Sequence, residues 1–229
     1  MPPKKLIVSI TGYSKADWRK KLQEAKQYRL KEIGLFIESF SVRQRQGLLD
    51  ALKNSCVKKI PLVHIRDDIT KQEIAFLKKH FQTKYFTIHE PHFHILDKWR
   101  GYYKDLYLEL NTDDRMKKYV SVKKIGGFCT DLAHFNVEVV KQSKEYRYTV
   151  DHLGKTKVGC NHLSGYSPVR NTDLHTISSV KDFDYLASLP HAVFGRVIAF
   201  EIYNSIREQL NYLPHIKKLL QDKLNFEIT

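Results

Sequence analysis

Acids and histidines recur in this sequence where short apolar runs stop: Glu38, His64, His89, Glu109, Asp131, His162 and Glu201. Side chains of these types, once gathered, have one evident chemistry. Neighbouring carboxylates repel unless a cation neutralises them. Imidazoles and carboxylates together form the ligand set of zinc, manganese and related divalent ions. A single strand-end carboxylate or histidine is more often a packed or hydrogen-bonded structural group. Seven such endings in register are hard to attribute to chance. Two local motifs enlarge the set. Asp131-Leu132-Ala133-His134 reads D-x-x-H, and Asp173-Leu174-His175 reads D-x-H downstream of His162.

These residues need elements to position them. Eight β-branched or aromatic runs are strand candidates: Leu6 to Ile10, Glu32 to Glu38, Ile60 to His64, Tyr85 to His89, Leu106 to Glu109, Gly126 to Asp131, Val158 to His162 and Val197 to Glu201. Helical patterns lie between them. Ser14 to Tyr28 opens on a cap candidate, as does Thr70 to His80 with Asp68 and Thr70. Val42 to Lys53, Phe135 to Lys144, Val180 to Ser188 and Ile202 to Leu220 complete the set, and the crossover between the fifth and sixth strands is short and charged, a stunted helix. Strict alternation predicts a parallel sheet. Eight units in 229 residues, apolar almost throughout the strands, favour one closed (β/α)8 TIM barrel domain over an open doubly wound sheet. No Gly-rich nucleotide motif follows the first strand, which weakens the open-sheet alternative. In such barrels the C-terminal strand ends build the active site.

The net charge of +14 is the strongest compositional signal. It suits a polyanion or a phosphorylated substrate; the plainer alternative is lysines solvating amphipathic helices. No run is long and apolar enough to span a membrane, and Leu6 to Ile10 is too short for a signal peptide. Cys56, Cys129 and Cys160 form no C-x-x-C pair, so reduced thiols and a cytoplasmic setting are expected, as is a monomer. Cys129 and Cys160 stand two residues before Asp131 and His162, so strand alternation points them into the barrel as small core residues.

The ordered set resembles the xylose-isomerase-like barrel superfamily, and specifically its endonuclease IV branch. Cys129-Thr130-Asp131-Leu132-Ala133-His134-Phe135 resembles the branch's C-x-D-x-x-H-x-F motif, with the Phe one position early. His162-Leu163 resembles the His-Leu ending its seventh strand, and Arg170 to His175 its R-x-D-x-H loop, with one extra residue before Asp173. The resemblance implies nine metal ligands and up to three zinc ions. His64, His89 and Glu109 would hold one; Glu109, Asp131, His162 and Glu201 a second; His134, Asp173 and His175 the third. It also implies hydrolysis of a phosphate ester such as abasic-site DNA, with Glu109 and Glu201 as catalytic residues. Gln44-Arg45-Gln46 resembles a family segment that enters DNA; its alternative is a plain helix start. Departures are clear: the chain is short, and Ile65-Arg66-Asp67-Asp68 carries no aromatic wedge.

The superfamily's sugar isomerases and epimerases supply the alternative. They resemble this chain in needing only Glu109, Asp131, His162 and Glu201 around a single Mn2+, Mg2+ or Co2+, with Glu109 and Glu201 as the acid/base pair. Glu38, Arg45 and Arg170 are the expected substrate-binding residues. Phe93, Trp99, Tyr102 and Tyr103 could stack on a base or a sugar, or simply pack beneath a loop. The expected partners are nucleic acid or a phosphorylated small molecule.

Overall fold

The computed structural model describes residues 3–12 and 18–229. The strands in chain order are β1 (Lys5–Ile7), β2 (Ser9–Thr11), β3 (Gly34–Phe36), β4 (Leu62–His64), β5 (Tyr85–His89), β6 (Leu106–Glu109), β7 (Gly127–Asp131), β8 (Val158–Leu163), β9 (Gly165–Ser167), β10 (Thr172–Leu174) and β11 (Val197–Phe200). Nine of them form one parallel sheet in the order β1-β11-β8-β7-β6-β5-β4-β3-β2. β1 and β2 are one strand interrupted at Val8. Its first half pairs with β11 and its second with β3, so the sheet closes on itself as an eight-staved (β/α) barrel. Each expected strand is present, although the run from Glu32 to Glu38 forms a strand only over Gly34–Phe36.

The helices are α1 (Trp18–Gln27), α2 (Val42–Lys53), α3 (Lys71–Phe81), α4 (Leu132–Lys141), α5 (Lys144–His152) and α6 (Ile206–Leu224). Their starts are written in side chains. Ser41 and Gln44, Thr70 and Glu73, and Ser205 and Glu208 form reciprocal capping boxes. The expected start of α1 at Ser14 lies outside the described residues. Ser205 delays α6 past Ile202, and Asn225 in the left-handed conformation ends it after Leu224. α4 begins at Leu132, not Phe135, because Asp131 caps it: Asp131 Oδ1 accepts from the His134 amide at 2.8 Å. Gln142 then breaks the helix in the left-handed conformation, and α5 follows where no separate helix was expected. Val180–Ser188 is 3-10 rather than α-helical, bounded by the Ser179–Asp182 capping box and by Pro190. The crossover between β6 and β7 is indeed stunted, with one 3-10 turn at Val122–Lys124.

Period-two alternation sends one face of every stave inward. Ile7, Phe36, Leu62, Tyr85, Tyr107, Cys129, Cys160, Val197 and Ala199 form the barrel's own apolar core, with both cysteines inward as expected. One step up each stave, the next inward positions are polar. Register sets their height: His89 lies level with Glu109, and Asp131 with His162. The larger core lies between the sheet and its helices. No helix among the described residues is long and apolar enough to cross a membrane.

Candidate metal centre

The strand ends converge at the C-terminal mouth of the barrel. His162 Nδ1 lies 3.0 Å from Glu109 Oε2 and 3.0 Å from Glu201 Oε2. His64 reaches the same two acids from the other side of the ring of staves, with Nε2 3.6 Å from Glu109 Oε2 and Nδ1 3.5 Å from Glu201 Oε1. Glu109, Asp131, His162 and Glu201 each offer one ligand atom, and these four atoms lie within 4.8 Å of one another. This is the largest such group among the described residues. His64 joins Glu109 and His162 in a second grouping, and joins Glu38 and Glu201 in a third. Glu38 is thereby drawn to the mouth, its Oε2 3.8 Å from His64 Nδ1.

Burial makes this arrangement expensive without a cation. Glu109 is 1 % exposed, Asp131 2 %, His162 0 % and Glu201 8 %. An isolated buried carboxylate costs several kcal/mol. Yet Glu109 Oε2, Asp131 Oδ2, His162 Nδ1 and Glu201 Oε2 make no hydrogen bond among the described residues. The other atoms of the same groups are used in ways that aim these four. Asp131 Oδ1 caps α4, which leaves Oδ2 free. His162 Nε2 lies 3.1 Å from Thr87 Oγ1; with the ring donating there, Nδ1 keeps its lone pair toward the acids. The donor chemistry, three carboxylates and one imidazole, fits a divalent ion such as zinc, manganese or magnesium without selecting one.

Electrostatics in the ion-free protein follow from the same packing. Burial pushes the Glu109 carboxyl up, but His162, His89 and His64 overcome it and hold the group at about 2. Glu201 is likewise held well below the carboxylate range by His162 and His64 against the burial effect. Asp131 is pushed up to about 6, first by burial and then by the charges of Glu201 and Glu109, with His134 opposing. It is the member most in need of a cation.

The remaining expected ligands sit around this core at longer range. His89 Nε2 is 3.9 Å from Glu109 Oε2, and burial drives its pKa down to about 4. His134 bridges outward, with Nδ1 3.6 Å from Glu109 Oε1 and Nε2 3.9 Å from Asp173 Oδ2. The β9–β10 ribbon presents Asp173, whose Oδ2 lies 2.9 Å from His175 Nε2. His175 donates Nδ1–H to the Glu201 carbonyl at 2.8 Å. All nine positions thus meet at one mouth, but His134, Asp173 and His175 are not gathered as tightly as the four central ligands. A pocket of about 180 Å3 opens above them, lined by Thr11, Glu38, His64, His89, His175 and Tyr203 among others.

Two residues expected to bind substrate do not line this pocket. Arg45 is fully buried in α2, with Nη1 2.6 Å from Asp68, Nε 3.1 Å from Glu73 and a hydrogen bond to the Phe40 carbonyl. It ties the loops after β3 and β4 together, and the helix-start reading of its segment holds. Arg170 is exposed at the tip of the β9–β10 ribbon, away from the pocket. The aromatics also belong to packing: Trp99 is buried with Nε1 donating to the Ile69 carbonyl, and Phe93, Tyr102 and Tyr103 rest against the core. Sequence reading overlooked Thr87, which faces inward two residues before His89, and the pocket walls Thr11 and Tyr203.

No family model matches the chain, and no curated protein matches it. Among solved structures, one described as a D-tagatose 3-epimerase-like protein superposes with a TM-score of 0.53 at 12 % identity, covering 97 % of this chain and 98 % of that one. A likeness at such low identity concerns the backbone, so what it shows is the (β/α) barrel fold.

Proposed function

We propose that the protein is a metal-dependent isomerase or epimerase acting on a small hydroxy-carbonyl compound of the sugar class. The observation that carries this reading is the four-atom group of Glu109, Asp131, His162 and Glu201, which is gathered around one point beneath a pocket of about 180 Å3. A pocket of that size suits a small ligand such as a polyol. The solved epimerase-like protein, which shares the barrel fold, supports the same class.

A single divalent ion held by these four residues would polarise the substrate carbonyl and make the adjacent C–H acidic. The protein's own groups then manage the proton. Glu109 and Glu201 are ionised at neutral pH, so each is equipped as a base. One takes the proton from carbon; in an isomerisation the same carboxyl, now protonated, returns it, and in an epimerisation the opposite acid takes a proton from solvent and gives it to the other face of the carbon. Both acids lie 3.0 Å from His162 Nδ1, which sets them beside one reacting centre. Glu38 and His175, on the pocket wall, are placed to hold hydroxyl groups. Burial of the site excludes water that would compete for the proton.

A second reading, phosphate-ester hydrolysis with three ions, draws support from the close approach of His134, Asp173 and His175 and from the net charge of +14. One pair of measurements separates the two. Metal content per chain after purification should be near one ion, and incubation with ketoses in D2O should place deuterium on the carbon beside the carbonyl. Three zinc ions per chain together with nicking of abasic-site duplex would establish the hydrolase instead. Absence of any bound metal would sink both.

A further inference from the structure

A second group of acids lies outside the barrel mouth. Glu90 is the first residue after β5, Asp113 belongs to the 110–121 segment that follows β6, and Glu145 sits in the first turn of α5. Each offers one carboxylate oxygen, and the three oxygens lie within 4.8 Å of one another. Glu90 is 3 % exposed and Glu145 1 %, while Asp113 is exposed. Backbone amides serve one oxygen of each buried acid: Asn111 donates to Glu90 Oε1 at 3.0 Å, and Arg115 to Glu145 Oε1 at 2.8 Å. Glu145 Oε2 is buried and has no hydrogen-bond partner among the described residues. Neither oxygen of the neighbouring Glu138, itself 3 % exposed, makes a hydrogen bond there.

Compensating charge is sparse. In a chain with 39 lysines and arginines, the described residues place no lysine ammonium or arginine guanidinium within 4.0 Å of a carboxylate oxygen of Glu90, Asp113 or Glu145, and Lys117 acts on Glu90 only from farther away. The nearest ion pair is Lys141 with Glu138, at 3.8 Å. Burial and the charge of Glu145 push the neighbouring Glu138 carboxyl up to about 7. These acids are short of a cation, and an all-oxygen donor set with no imidazole or thiol suits a hard one. Calcium binds oxygen at about 2.3–2.6 Å in irregular spheres, so oxygens on one sphere stand up to about 4.8 Å apart, as these do. Magnesium demands a stricter octahedron.

We propose that Glu90, Asp113 and Glu145 form a calcium site, reached from solvent past Asp113, that clasps the end of β5, the segment after β6 and the start of α5. Asn111, which donates to Glu90, lies two residues beyond Glu109. An ion here therefore pins the chain where it leaves the barrel mouth. The site does not depend on the chemistry of that mouth.

Equilibrium dialysis with radioactive calcium, paired with thermal melting, tests this on four proteins: wild type, Asp113→Asn, Glu145→Gln and Glu201→Gln. Asp113 is exposed, so its variant keeps the fold even if Glu145→Gln does not. The wild type should bind calcium and melt at a higher temperature with it. Asp113→Asn should weaken binding by about tenfold or more, while Glu201→Gln, altered only in the barrel mouth, should bind within about twofold of wild type. Absence of binding by the wild type at millimolar calcium overturns the site. Binding that survives Asp113→Asn but disappears in Glu201→Gln also overturns it, because the calcium would then be in the barrel.

Discussion

Two groups of buried carboxylates flank one small cavity in this barrel, bordered by Asp131 and His134 on one side and by Glu138 and Glu145 on the other. In the barrel mouth, acids alternate with imidazoles. Glu109 and Glu201 are held low by His162 and His64, so much of the charge is balanced before any ion arrives. Beside it, Glu90 and Glu145 each have a backbone amide and Glu138 one lysine at 3.8 Å, and burial raises Glu90 and Glu138 to about 7. The contrast teaches that burial alone does not decide a carboxylate's state. Its neighbours do, and they also decide which class of cation fits.

The largest expected break in this comparison comes from Glu201→Gln. The amide keeps the shape but removes one of the two acids 3.0 Å from His162 Nδ1. Affinity for a transition-metal ion should fall by about 100-fold or more, and carbon–hydrogen exchange should be lost with it. Competition with a chelating dye measures the first and NMR the second. Metal affinity that stays at the wild-type level would remove Glu201 from the ligand set.

A smaller effect separates the two groups by pH. For Glu109 the folded value of about 2 lies below the ordinary 4.5, so its contribution is present above pH 4.5 and is lost as pH falls toward 2. Glu138 runs the other way. Its folded value of about 7 lies above 4.5, so its contribution is complete below pH 4.5 and is lost as pH rises through 7. In urea melts with chelator present, Glu138→Gln should lose less stability than wild type between pH 4.5 and 7.5, by about 2 kcal/mol. Equal losses in the two proteins would mean that Glu138 titrates normally in the fold.

The barrel mouth was legible in the sequence because the barrel makes it so. His64, His89, Glu109, Asp131, His162 and Glu201 each stand at or next to the end of a stave, and a run of apolar residues followed by an acid or a histidine is visible without coordinates. Asp173 and His175 were legible only as a D-x-H pair, since the ribbon that presents Asp173 is three residues long on each side. The second group was not legible. Glu90, Asp113 and Glu145 come from a 3-10 start, an irregular segment and a helix whose sequence, KEYRYTVDH, has few apolar residues to announce it. Arg45 misled for a related reason: a local triplet carries no information about burial, and Asp68 and Glu73, which hold it, lie 23 and 28 residues downstream.

The finest distinction rests on Thr87, a residue that neither ligates nor carries charge. It is fully buried, and its hydroxyl lies 3.1 Å from His162 Nε2. With the ring donating in that contact, Nδ1 is left free for an ion. Thr87→Val keeps the volume and β-branching of the stave, so the barrel should remain folded. Removing the partner frees the imidazole to change tautomer, and partners of this kind contribute about 10-fold in metal affinity. Thr87→Val should therefore weaken transition-metal binding by about that factor while calcium binding at Glu90, Asp113 and Glu145 stays unchanged, since none of those acids touches the ring. Unchanged affinity in both sites would show that His162 is oriented by the ring contacts of Phe36 and His64, at 4.7 and 4.9 Å, rather than by the hydroxyl.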